Sequence, residues 1–215
     1  MKRVHFLWCI VPLGLVLFHF GLGERWLYAE TAVRIQLQGF AAEASDQILT
    51  ARELYLNAEK AAHPDDVLLR ARLRIDTART TILAGAPLNG VKQIERLLGN
   101  HADGILPSQL RAEARATRAL GLYYAAYALR LDSPEPAVWQ PELDSASQLF
   151  RDLFEDASRE GRAQEAVFYA RNLEACVRLK RTRQAELASL PTPPAVLATL
   201  NRGVSAKKLP IDEAP

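Results

Sequence analysis

The chain is poor in the residue types that usually mark a catalytic or metal-binding protein. Of 215 residues, only two are cysteine and four are histidine. Cys9 falls in an apolar N-terminal run and Cys176 in a helical pattern, so no internal bridge is expected. Without a disulfide framework, cysteine usage does not choose between a reducing and an oxidising compartment. None of His5, His19, His63 and His101 has a second histidine at i+4, and Cys-x-x-Cys and His-Glu-x-x-His spacings are missing. There is no glycine-rich loop leading into Lys-Ser or Lys-Thr, and no serine in a Gly-x-Ser-x-Gly elbow. No catalytic, cofactor-binding or metal-ligating residue is assigned on this basis, and the chain reads as non-catalytic.

Charge of one sign is also lacking. The formal net charge is +2, and Lys2 and Arg3 stand at the extreme N-terminus, which leaves the body close to neutral. A neutral body does not favour the phosphate backbone of nucleic acids. Isoleucine, valine and threonine never alternate in runs, so no strand is expected. What remains is a chain with 49 % hydrophobic residues, rich in Leu, Ala, Arg and Glu. That composition supports a helical core.

The longest hydrophobic run is MKRVHFLWCIVPLGLVLFHFGLG, where Val4 to Gly23 carry no Asp, Glu, Lys or Arg. Twenty helical residues span roughly 30 Å, the thickness of a bilayer's hydrocarbon core. Lys2 and Arg3 precede the run, and Trp26 and Tyr28 follow it where amphipathic rings settle at the interface. The expectation is a single-pass anchor over residues 1–23. It has a cytoplasmic N-terminus and a periplasmic or otherwise extracytoplasmic body on the inner (cytoplasmic) membrane. A secretory signal shares the charge and the apolar core, but the run is long for one and lacks an Ala-x-Ala site. His5 and His19 fall within the span, on roughly one face and near opposite ends.

Residues 24–190 form the second unit. Glu24 to about Ala62 is expected to be helical throughout, with a break or kink near Gly39. Pro64 then stops it, and Asp65 or Asp66 caps the next helix, which explains that acidic pair better than chemistry does. Gly85 suits a C-terminal cap. "APLNG" reads as a turn, "VKQIERLLG" as a short helix and "NHADGILP" as a loop. Ser108 is the expected cap of the longest helical pattern, and "DSPEPAVWQPE" an interrupting loop. Further helices are expected over Leu143 to Ala157 and, beyond the turn at Gly161, from Arg162 to about Leu187. The tail from Pro191 to Pro215 is too polar and proline-rich to fold alone. The fold class is therefore all-α: an N-terminal transmembrane helix, then antiparallel helical hairpins.

Tetratricopeptide repeats carry Leu-Gly with a tyrosine three residues later, where two helices cross. Leu120, Gly121 and Tyr124 supply that pattern, and a mid-helix glycine is explained by a close neighbour. From Gly121 to Leu179 the order is a long helix with tyrosines, a proline-containing loop, the helix "ASQLFRDLF", and a helix with "NLEACVRL". This arrangement resembles the membrane-anchored MxaK-type proteins, encoded with MoxR-type ATPases and von Willebrand A-domain proteins. Asn172, Leu173, Glu174, Arg178 and Leu179 match that family's last helix, while Arg171 and Cys176 depart from its tyrosine and alanine. The resemblance covers about sixty residues plus the anchor. It implies a tetratricopeptide-like accessory factor in the assembly or maturation of a periplasmic enzyme such as a methanol dehydrogenase. The implied partners are that enzyme's components or the MoxR/von Willebrand A-domain system.

Gly121, Asn172, Leu173 and Glu174 are thus a packing signature. In the last helix Ala166, Tyr169, Ala170, Leu173, Cys176 and Val177 form the expected buried stripe, with Asn172 at its border and bonded across to a neighbour. Candidate partner-binding residues are Tyr123, Tyr124 and Tyr127, with Arg111, Arg115 and Arg118 on one helical stripe. Arg70 and Arg74 make a shorter pair of the same kind. Interleaved acids, such as Glu113 and Asp76, are expected on solvated faces. The scaffold reading, a protein-binding adaptor held on the bilayer by residues 4–23, has one rival: a structural single-span subunit of a membrane redox complex.

Overall fold

A computed structural model describes residues 24–100 and 106–187. The expected anchor with His5 and His19, His101, and the expected tail lie outside those residues. Among the described residues, every regular element is a helix and no helix is long and apolar enough to cross a membrane. The helices are α1 (Glu24–Ala44), α2 (Ile48–Ala61), α3 (Val67–Leu83), α4 (Pro87–Asn100), α5 (Ser108–Asp132), α6 (Pro136–Arg159), α7 (Ala163–Arg181) and α8 (Gln184–Leu187).

Several boundaries follow local chemistry that the sequence shows plainly. Asp66 caps α3, its carboxylate accepting from the Leu69 N–H at 3.0 Å. Gly85, at φ 90°, closes α3 in a Schellman turn. Its N–H donates to Ile82 O at 3.0 Å and that of Ala86 to Thr81 O at 3.1 Å. Gly161, at φ 70°, ends α6 in the same way, with the Arg162 N–H donating to Ala157 O at 2.8 Å.

Other boundaries differ from expectation. α1 runs straight through Gly39 and stops at Ser45–Gln47, where Asp46 takes φ 61°. Aspartate tolerates this left-handed region better than most residues. Gly39 serves packing instead, because a Cβ there would lie 2.5 Å from Tyr55 Cε1 of α2. Pro87 opens α4, so "PLNG" belongs to the helix; proline suits a first helical position, whose N–H needs no partner. Ser108 begins α5 without capping it. The loop expected before α6 shrinks to Ser133–Glu135, since Pro136 starts the helix and Pro141 lies within it. Pro141 has no N–H for the carbonyl of Ala137, and both residues lie on the exposed side of the helix. The final helix breaks at Thr182 and Arg183 into α7 and α8.

Cross-helix contacts set the direction of each element. Gln36 meets Asp76 and Glu43 meets Arg79, so α1 and α3 run the same way. In α5 and α7, Arg115 and Glu113 lie near Tyr169, and Arg130 reaches Thr182, so these two also run together. The intervening helices run back against them. Glu59 of α2 meets Arg70 and Arg74, Glu95 of α4 meets Arg118, and Asp152 and Asp156 of α6 meet Arg115. Each helix thus packs chiefly on its chain neighbours, with α3 and α5 also in contact.

The core is correspondingly divided. Ala32, Ala51, Tyr55, Ala58 and Leu73 fill the space among α1, α2 and α3. Ile75, Ile94, Leu97, Leu106 and Leu110 fill that among α3, α4 and α5. A larger cluster around Leu143, Phe150, Leu153, Tyr169 and Leu179 holds α5 to α7. Each fully buried leucine contributes about 1.5–3 kcal/mol from water exclusion. The α1 side is built largely from alanines and one tyrosine, so polar contacts carry more of its attachment.

Candidate functional site

The α5 residues singled out from sequence are used inside the chain. Arg115 contacts Asp152 and Asp156, each at 3.3 Å, and Arg118 contacts Glu95 at 2.9 Å. Arg111 donates to Leu106 O at 3.3 Å. Arg70 and Arg74 share Glu59 in the same manner, at 3.9 and 2.6 Å. The stripe therefore ties α5 to α4, to α6 and to the chain entering α5. Tyr123 and Tyr127 are buried, and the Tyr127 hydroxyl donates to Leu187 O at 3.1 Å. Burial pushes the Tyr123 phenol up to about 12. Tyr124 is half-buried on another side, against Ile82, Leu120 and Phe168, and its hydroxyl has no partner.

The members of the packing signature fall in different surroundings. A Cβ on Gly121 would lie 2.6 Å from Val91 Cγ2 and 3.0 Å from Ile82 Cδ1, so α3, α4 and α5 meet at this glycine. The buried stripe of α7 is Ala166, Tyr169, Asn172, Cys176 and Leu179. Ala170 and Val177 are exposed and Leu173 half-buried, which corrects the expected stripe by a rotation of the helix. Asn172 sits in the stripe and not at its border. Its Nδ2 donates to Phe168 O, 3.0 Å away in its own helix, where an inter-helix bond was expected. Glu174 is exposed and pairs with Arg178 at 2.8 Å. Burial raises the Cys176 thiol to about 11, so it packs as a small apolar group and is poorly nucleophilic.

The residues that sequence reasoning misplaced form the most concentrated chemistry among the described residues. Asp76, expected on a solvated face, is 1 % exposed. It lies with Gln36, Glu43, Tyr55 and Arg79 in a buried cluster drawn from α1, α2 and α3. The Arg79 guanidinium holds Glu43 with both ends of its fork, Nε donating to Oε1 at 3.2 Å and Nη2 to Oε2 at 2.9 Å. Its Nη1 stands 2.7 Å from Asp76 Oδ1, an ion contact without hydrogen-bond alignment. Gln36 Nε2 donates to Asp76 Oδ2 at 3.0 Å, and the Tyr55 hydroxyl donates to Glu43 Oε2 at 2.9 Å.

One cation faces two carboxylates here, so the ionised cluster carries one excess negative charge. Burial pushes the Asp76 carboxyl above the usual range, opposed by Arg79 and Gln36. Burial alone would lower the Arg79 guanidinium, but Asp76 and Glu43 hold it well above its ordinary value. Half-buried Glu113 of α5 feels the same surroundings. Its carboxyl is raised by burial and by Asp76, and lowered by Arg72 and Arg79. Chemically the cluster is an electrostatic clasp between parallel helices. Its groups face one another, with no reacting centre presented to solvent.

The signal for this clasp was present in the spacing Ala32, Gln36, Gly39, Glu43, a 4-3-4 stripe on which every second member is polar. In α3 no such signal exists, because every residue from Ile75 to Ile82 is buried and no solvated face marks the periodicity. No family model and no curated protein matches the chain.

Proposed function

We propose that the chain is a non-catalytic helical scaffold that binds other proteins, tethered by residues 4–23 to the inner membrane with its body on the periplasmic side. The observation that carries this reading is the arrangement of helices. α1, α3, α5 and α7 share one direction and alternate with returning helices, which is how tetratricopeptide-like hairpins stack. The close crossing at Gly121 supports the same reading. So does the use of the buried charges as ties between helices.

The resemblance of Gly121–Leu179 to MxaK-type proteins gives the scaffold a direction. Its partners would be components of a periplasmic enzyme under assembly, such as a methanol dehydrogenase, or of the MoxR/von Willebrand A-domain system. The α5 arginines and tyrosines take a smaller part in this reading than their sequence pattern suggests, because internal contacts already engage most of them.

Crosslinking and affinity purification, with and without residues 1–23, test the proposal. A scaffold retains its partners when the tether is removed. Loss of all partners with the tether would favour the single-span subunit. Protease protection of a C-terminal tag tests the placement, and a body protected on the cytoplasmic side overturns it.

A further inference from the structure

At the end of α5 farthest from the charged clasp, a second arginine is buried under different terms. Arg130 is 8 % exposed and Trp139, on the first turns of α6, is 5 % exposed. The guanidinium carbon lies 4.4 Å from the centroid of the Trp139 ring, in stacking contact. Its Nη2 donates to the carbonyl of Thr182 at the end of α7, which sets the cation at the negative end of that helix dipole. The Gln184 side chain donates to Arg130 O at 2.6 Å and to Leu131 O at 3.4 Å, fixing the α7–α8 connection over the site.

Two donors remain unused in this cradle. Arg130 Nη1 and Trp139 Nε1 are both buried and neither has an acceptor. No carboxylate pairs with Arg130 among the described residues, which distinguishes it from Arg79, Arg115 and Arg118. Glu142, one turn beyond Trp139, has a buried Oε2 without a partner and forms no ion pair with Arg130. Burial lowers the Arg130 guanidinium from its ordinary value, as expected of a cation without a counter-charge. A buried donor left without an acceptor costs about 1–3 kcal/mol, and more when charged, so the arrangement favours a ligand that supplies oxygen acceptors.

We infer that Arg130 and Trp139 form a receptor for a carboxylate, one oxygen accepting from Arg130 Nη1 and the other from Trp139 Nε1. Both nitrogens belong to one stacked pair, and charge-assisted bonds of this type are the strong ones. A carboxylate supplies the acceptor that Nη1 lacks, since Thr182 O accepts from Nη2. The site does not depend on the scaffold reading, since the acceptor is defined by its chemistry and not by the molecule that carries it.

The test uses the full chain, with melting temperature measured in acetate against chloride at equal ionic strength and pH, so that screening is common to both. Acetate raises the melting temperature saturably in the parent chain. The effect weakens by roughly tenfold or more in apparent affinity in Arg130→Gln, as loss of a charged hydrogen bond requires. Trp139→Phe keeps an aromatic ring under the cation while losing the N–H with the rest of the indole, and it shows the same weakening relative to its own melting temperature in chloride. An amidated peptide whose one carboxylate is a glutamate side chain reads a partner as the source. Tighter acetate binding by Asp212→Asn/Glu213→Gln than by the parent reads the chain's own C-terminal carboxylates as the source. No saturable rise, or an equal rise in Arg130→Gln and Trp139→Phe, overturns the proposal. So does a loss of stability in Glu142→Gln as large as that in Arg130→Gln, which would make Glu142 the counter-ion.

Discussion

Replacing Arg79 with methionine removes one charge and little volume, and it separates an electrostatic clasp from an ordinary packed interface. In the parent, Arg79 neutralises Glu43 through a two-point contact and partly neutralises Asp76. Without it, two carboxylates that are 2 % and 1 % exposed face one another, with Gln36 still donating to Asp76 and Tyr55 to Glu43. Removing one partner of a buried pair destabilises by about 3–5 kcal/mol, because the other is left uncompensated. Total stabilities run to only about 5–15 kcal/mol, so such a loss is plain in urea unfolding followed by circular dichroism. The variant also acquires a pH signature. Protonating the two carboxylates removes their repulsion, so Arg79→Met recovers stability as pH falls from neutral toward the carboxylate range. A loss below about 1 kcal/mol, with no recovery in acid, would refute the claim that charge holds α1 to α3.

Asp76→Asn acts in the opposite sense. The folded Asp76 carboxyl lies above its ordinary 3.8, so its contribution to stability is complete below 3.8 and declines as pH rises through the folded value. The asparagine variant lacks that decline, and at neutral pH it unfolds no more easily than the parent; a loss beyond about 2 kcal/mol would contradict this. Gly121→Ala puts a methyl 2.6 Å from Val91 Cγ2 and is expected to cost about 1–3 kcal/mol, while Gly99→Ala, with nothing within 4 Å, gains up to about 1 kcal/mol. Equal effects in thermal melts would show that no close crossing exists at Gly121. Asn172→Ala loses the bond to Phe168 O and a little packing, about 1 kcal/mol, and unchanged melting would place the side chain in water.

The all-helical class was legible because apolar positions recur at helical spacing and punctuation is strong. Asp66, Gly85 and Gly161 each act as their residue types predict. Proline misled twice. Pro87 and Pro136 begin helices, and a proline within a polar stretch looks the same whether it opens a helix or forbids one. Gly39 misled for a related reason, since glycine that admits a neighbouring ring reads like glycine that permits a kink. The clasp was hidden because burial of charge is decided between helices. Glu43 lies tens of residues before Asp76 and Arg79, and no local pattern says that α3 will be enclosed on its polar side. The α5 arginines show the converse. Their stripe is visible locally, but the acids they contact lie on α4 and α6.

The central claim is that the helical body, and not the apolar N-terminal segment, is what other proteins recognise. Photo-crosslinking in cells tests it most directly, with a reactive side chain placed singly at exposed positions of the body, Leu49, Leu56 and Val167, and at Leu15 in the N-terminal segment. The scaffold account predicts discrete crosslinked species from at least one body position, and the same species when residues 1–23 are replaced by an unrelated span. Crosslinks from Leu15 alone, lost on that replacement, would contradict it.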